Sequence, residues 1–152
     1  MATYYPKNLL DSQRIAQELW QDISQAKIVF LSGALGAGKT FFVKQLGKVL
    51  RIKEEIISPS FQLIKIYTIP NTKLSLVHTD LFRLEIKSQN DFLELFEYLG
   101  DEKNIVLIEW GEKIASFVKP KMTIEFSGTK ERKIKVKNLT QICKPDGLAN
   151  LG

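Results

Sequence analysis

Eight consecutive residues concentrate the chemistry of this chain: Gly33-Ala34-Leu35-Gly36-Ala37-Gly38-Lys39-Thr40. They fit G-x-x-x-x-G-K-S/T in full, the P-loop turn that cradles phosphates. A triphosphate carries several negative charges on closely spaced oxygens. Gly33, Gly36 and Gly38 let the backbone wrap close and turn its N–H groups inward. The helix expected to follow adds the positive end of its dipole. Lys39 then serves as a point charge for the β- and γ-phosphates, and the Thr40 hydroxyl as a Mg²⁺ ligand. Leu35, Ala37 and Phe41 complete the expected nucleotide-binding run.

Such a cradle works with carboxylates at the ends of neighbouring strands, which hold the metal or orient water. Ile105-Val106-Leu107-Ile108-Glu109 has that form, and Glu109 is the expected metal carboxylate alongside Thr40. Leu76-Val77-His78-Thr79-Asp80 ends the same way, so Asp80 is the second acidic candidate. It could orient water, hold a metal-bound water or cap the next turn. Lys39, Asp80 and Glu109 are thus the candidate catalytic set. His78 has two readings, a packed residue beside the site or a participant in it. Ser58-Pro59-Ser60-Phe61 is either a switch loop, with the Ser60 hydroxyl sensing the γ-phosphate, or a plain Ser-Pro turn.

The elements that must position these groups follow from periodicity. Asp11 or Ser12 can cap a helix to about Ser24, whose Ile15, Ala16, Leu19, Trp20 and Ile23 recur at spacings of three and four. Residues 27–32 read as a strand running into the Gly-rich turn. Residues 39–50 read as the helix after it, with Phe42, Val43, Leu46, Val49 and Leu50 inward. Segments 62–69 and 73–79 form a hairpin turning at Pro70-Asn71. Ser88 or Asn90 can start a short helix that stops at Gly100. Residues 104–109 are an apolar strand, a short helix near 112–117 ends before Pro120, and 122–126 with 132–137 form a last hairpin. The sum is an α/β fold: a three-layer P-loop-type sandwich around a central mixed sheet. Strands 27–32 and 104–109 should be innermost, because they are apolar on successive residues. Residues 1–140 are expected to make one domain and 141–152 a C-terminal tail.

Composition narrows the class. A chain of 152 residues suits a single domain. With 44% hydrophobic and 26% charged residues, disorder throughout is excluded. The longest aliphatic and aromatic runs, 28–31 and 105–108, are far shorter than the ~20 residues of a membrane helix, and the first ten residues do not read as a secretory signal. The single Cys143 rules out an internal disulfide or thiolate cluster, and the single His78 a multi-histidine metal site. These features fit a cytoplasmic protein. The net charge of +5 is either ordinary solubility charge or a sign of an anionic partner.

Four blocks, in order, resemble a known family, the TsaE (formerly YjeE) ATPases. They are the run 33–40, Ser-Pro-Ser-Phe at 58–61, His-Thr-Asp-Leu-Phe-Arg at 78–83 and Leu-Ile-Glu-Trp-Gly-Glu at 107–112, within a resemblance spanning about 11–136. The resemblance implies MgATP held by the P-loop and Glu109, with Asp80 supporting hydrolysis. It brings Arg132 towards the nucleotide and the Asp11–Ser12 segment near the adenine. Trp110 matches a family tryptophan, with core packing as its alternative role. An accessory ATPase of tRNA threonylcarbamoyladenosine synthesis is implied, binding a TsaD–TsaB pair, resetting it between cycles and contacting tRNA indirectly. The chain departs from the family at Ser60, usually Thr, at Phe82, often Tyr, and in a shorter 93–99 segment. Two other classes compete. A small-molecule kinase would carry an Arg-rich lid, and no such insertion is visible. A nucleotide-gated binding module would scarcely turn over. Lys130, Arg132, Lys133, Lys135 and Lys137 cluster near the C-terminus, and Lys133, Lys135 and Lys137 share one strand face, as a solvated surface or a contact for tRNA or a partner.

Overall fold

Apolar residues at helical spacing make α1 (Leu9–Ala26), which buries Ile15, Ala16, Leu19 and Ile23 and leaves Trp20 half-buried. The structure, a computed structural model, describes residues 1–59 and 63–138. The cap of α1 is Asn8, not Asp11 or Ser12: its side-chain oxygen accepts the Asp11 N–H at 2.9 Å. Asn8 has the extended backbone a cap needs, so the helix begins before the apolar stripe that marks it in the sequence. At the other end Lys27 turns out of the helix at φ 65°, and β2 (Ile28–Ser32) starts one residue later than expected.

β2 runs into the Gly-rich turn and then α2 (Lys39–Val49), with Leu50 as cap rather than last helical residue. β3 (Ile64–Thr68) and β4 (Ser75–Asp80) form the first hairpin. A capping box between Ser88 and Asp91 starts a 3₁₀ turn, Gln89–Phe92, which feeds α3 (Leu93–Leu99). β5 (Asn104–Glu109) ends at Trp110, and a 3₁₀ turn, Gly111–Ile114, stands where a short helix was expected near 112–117. β6 (Met122–Ser127) and β7 (Lys133–Asn138) form the second hairpin. One strand escapes the sequence pattern: β1 (Ala2–Tyr4) is too short to show a period and is defined by its pairing with β7.

The strands form one sheet in the order β1-β7-β6-β2-β5-β4-β3. β6, β2, β5 and β4 run parallel, while β7 and β3 oppose them, so the sheet is mixed. β2 and β5 are at its centre, as their unbroken apolar runs required. Val29, Leu31, Ile105 and Leu107 pack under α1 and α2; Phe30, Val106 and Ile108 pack against α3 and the 3₁₀ turns. Each fully buried side chain of this kind contributes about 1.5–3 kcal/mol relative to exposure. Successive residues of one strand thus secure opposite layers, which gives the expected three-layer sandwich. Among the described residues no helix is long and apolar enough to cross a membrane. Ser60 and the expected tail, 141–152, lie outside the described residues.

Parallel strands finish on the same side of a sheet. Leu31 lies opposite Glu109, and Asp80 opposite Glu109 on the other flank. The carboxyl ends of β2, β5 and β4 therefore stand side by side, at the edge where open α/β sheets bind ligands.

Candidate nucleotide-binding site

The turn between β2 and α2 has a shape that only glycine satisfies at two points. Gly38 has φ 110°, and a Cβ there would lie 2.8 Å from Nη1 of Arg132. Gly33 has φ 140°, and its Cβ would meet the Phe126 carbonyl oxygen at 2.4 Å. Gly38 leads α2 with no side-chain cap. The first amides of α2 are thus left for an anion, with the helix dipole behind them.

Across the sheet edge, Thr40 Oγ1 donates to Glu109 Oε1 at 2.7 Å, and Glu109 is only 1% exposed. Burial works against its charge. His78, the Thr40 hydroxyl and Asp80 outweigh burial and hold Glu109 below its ordinary value. Asp80 moves the other way. Burial raises it, the Phe82 N–H at 2.9 Å pulls it down, and the Glu109 charge raises it again. His78 is fully buried, with Nε2 3.7 Å from Glu109 Oε1. That separation is too long for a hydrogen bond, so the attraction is electrostatic. Neither ring nitrogen has a hydrogen-bond partner among the described residues.

Two hard oxygen donors in contact, Thr40 and Glu109, suit Mg²⁺, which takes few protein ligands and completes its shell with water and phosphate. Among the described residues no three His, Cys, Asp or Glu side chains gather into a cage, so the fit is of this partial kind.

Lys39 is buried, and its ammonium donates to the carbonyls of Gly33 and Ala34, the latter at 3.0 Å. It also stands 4.7 Å from the centroid of the Trp110 ring. Trp110 takes φ 60°, a left-handed backbone rare for a bulky residue. Its ring packs on Phe82 with centroids 5.1 Å apart. Gly111 follows because a Cβ there would lie 2.4 Å from the Phe30 ring. Trp110 thus lines the site and, half-buried, also packs against the core cluster of Phe30, Val106 and Ile108.

A cavity of about 330 Å³ gathers Leu35, Gly36, Gly38, Lys39, Thr40, Phe41, Ser58, Asp80, Glu109, Trp110 and Arg132. Nine of the residues singled out for nucleotide, metal or catalysis therefore share one space. Gly33 packs away from it against Phe126, and Ala37 sits in the core beneath α2. A second cavity, about 570 Å³, shares Phe41 and Arg132 with the first. The larger cavity holds neither Asp80 nor Glu109, so the acidic strand ends meet the Gly-rich turn at the smaller one. Ser12 lines the larger cavity, but Asp11 instead bonds the Lys7 N–H and Arg14. Lys130, from the basic C-terminal cluster, also lines it, and Tyr5, Pro6, Lys7, Asn8 and Glu131, not singled out in the sequence, complete that wall. Their only signal was Asn8, a capping residue three before Asp11.

The geometry has counterparts. The family model described as threonylcarbamoyl adenosine biosynthesis protein TsaE matches residues 7–136. A Treponema pallidum protein named tRNA threonylcarbamoyladenosine biosynthesis protein TsaE is 37% identical over 122 residues, covering 77% of this chain and 83% of that protein. The Nostoc sp. protein of the same name is 36% identical over 130 residues, covering 80% and 78%. The crystal structure of Bacillus subtilus YdiB is similar with a TM-score of 0.65 at 23% identity, covering 98% of this chain and 94% of that one. That likeness shows a shared fold.

Proposed function

Since the chain belongs to the TsaE family, we propose that it binds MgATP at the turn 33–40 and hydrolyses it in the service of tRNA threonylcarbamoyladenosine synthesis. The observation that carries this reading is the 2.7 Å bond between Thr40 Oγ1 and Glu109 Oε1 at the foot of an uncapped helix. His78, the Thr40 hydroxyl and Asp80 keep Glu109 ionised despite its burial, so a charged oxygen and a hydroxyl stand together as the donor pair that Mg²⁺ takes.

The triphosphate lies along the turn, with the first amides of α2 on its oxygens. Lys39 exchanges the Gly33 and Ala34 carbonyls for the β- and γ-phosphates. Bound Mg²⁺ supplies charge neutralisation at those oxygens, held by Thr40 and Glu109. Asp80 stands beside Glu109 and orients the attacking water; its raised proton affinity makes it the better base of the two. Arg132 adds positive charge at the junction of the two cavities. Phe41 and the larger cavity flank the base and ribose. Phosphoryl transfer of this kind is chiefly positioning and electrostatics, which these groups supply. A switch role for Ser60 rests on the Ser58-Pro59-Ser60-Phe61 block of the sequence alone.

In this reading the protein is a cytoplasmic accessory ATPase that acts on a TsaD–TsaB complex and meets tRNA through it. The test is ATP turnover measured alone, then with purified TsaD and TsaB homologues and tRNA. Slow turnover alone and strong stimulation by the full mixture is the expected result. Phosphate transfer to a metabolite would make it a kinase, and nucleotide binding without turnover in any mixture would make it a binding module.

A further inference from the structure

The turn after β4 has an unusual electrostatic problem. The carbonyls of Leu81, Phe82 and Leu84 converge on one point, which is occupied by the ammonium of Lys113 at 3.1, 2.7 and 3.0 Å. Three carbonyl dipoles aimed at one spot repel one another, so the turn needs a cation at its focus. A lysine ammonium has three N–H donors, and here all three find carbonyls. Among the described residues no ion pair claims Lys113.

The place of this clamp gives it consequence. Lys113 lies in the 3₁₀ turn directly after Glu109 and Trp110. The turn it holds begins directly after Asp80. Within it, the Leu81 N–H donates to the Glu109 carbonyl at 3.1 Å and the Phe82 N–H donates to Asp80 Oδ1 at 2.9 Å. Phe82 also carries the ring that packs on Trp110, whose face meets Lys39. One cation thus ties together the loops that leave the two acidic strand ends.

We propose that Lys113 is a positioning residue for turnover: it fixes the 81–84 turn, and through the Phe82 N–H the aim of Asp80, without touching the nucleotide. The proposal rests on the ATPase reading above. It separates two effects. Loss of the clamp misdirects Asp80 and slows the chemical step, while the cradle at 33–40 keeps its hold on nucleotide.

Two measurements on the full chain test it. Hydrogen exchange on wild type and Lys113→Met reads the clamp without any reaction. The amides of Leu81, Phe82 and Leu84 should exchange at least about tenfold faster in the variant, while α1 and α2 stay protected. Steady-state kinetics should show kcat down by about tenfold or more, since small misplacements of catalytic groups cost on that scale, with KM and ADP affinity within about twofold. Lys113→Cys in a Cys143→Ser background, alkylated with 2-bromoethylamine, restores an ammonium at nearly the same reach and should recover both readouts. Unchanged exchange at 81–84, unchanged kcat, ADP affinity falling in step with kcat, or no recovery on alkylation would each overturn the proposal. If wild type hydrolyses no ATP under any condition, the ATPase reading fails; the exchange data then decide the clamp alone.

Discussion

At the scale of single residues, the P-loop lysine and its carboxylate partner should behave differently. Lys39→Ala removes charge-assisted bonds to the phosphates, a net loss of about 1.5–3 kcal/mol once the Gly33 and Ala34 carbonyls they replace are counted, so nucleotide affinity measured by calorimetry should fall by about 10–100-fold. Gly38→Ala forces a side chain into φ 110° and against Arg132. A thermal or denaturant midpoint should report a loss of about 1–3 kcal/mol, accompanied by weaker nucleotide binding as Arg132 is displaced. Glu109 and Asp80 were legible in the sequence because each closes an apolar strand, and a strand end is where a side chain can leave the core and meet a ligand. Lys113 was not legible. Its partners are main-chain carbonyls, and no spacing of side chains advertises them. Tyr5 was hidden for a related reason: it meets Lys130 at one cavity only because β1 pairs with β7.

At the scale of elements, the start of the Gln89–Phe92 turn offers a pH test. The Lys87 and Ser88 N–H groups donate to Asp91 Oδ2 at 2.7 and 2.9 Å and hold its carboxyl below the ordinary value. A depressed folded value means the ionised form stabilises the fold. That contribution is complete above the unfolded value of about 3.9 and is lost as pH falls through the lower folded value. Asp91→Asn should therefore lower the thermal midpoint at pH 7, and the gap to wild type should close in strong acid. Gly111→Ala tests the other side of the site. A methyl 2.4 Å from the Phe30 ring overpacks the core by about 1–3 kcal/mol and should shift Trp110 fluorescence. α1, α2, α3 and the two hairpins follow the period and turn residues of the sequence, because burial on one face imposes period, while the helix expected near 112–117 is a 3₁₀ turn. Their ends were read less well. Asn8 caps before the stripe begins, and the Gly111–Ile114 turn is too short for any helical repeat to declare itself.

At the scale of the whole molecule, four parallel strands set the site by finishing together, and nothing local in the sequence states that order. The central pair was legible, since only strands covered on both faces are apolar on every residue. The flanking order β6-β2-β5-β4 depends on long-range pairing that composition does not encode. Nucleotide should stabilise this whole assembly by linkage, about 2.7 kcal/mol at a hundredfold excess over Kd. The shift in melting temperature with MgADP should be plain in wild type and clearly smaller in Lys39→Ala, where about 10–100-fold weaker binding leaves about 0.4–1.4 kcal/mol at the same concentration. The most direct test of the site is one side-by-side measurement on Glu109→Gln, which keeps an oxygen for the Thr40 hydroxyl but removes the charge. ATP hydrolysis and ADP binding are measured on the same preparations, with TsaD and TsaB homologues and tRNA present. We expect binding within a few-fold of wild type and turnover lower by about 100-fold or more; turnover equal to wild type would contradict the role of the Thr40–Glu109 pair.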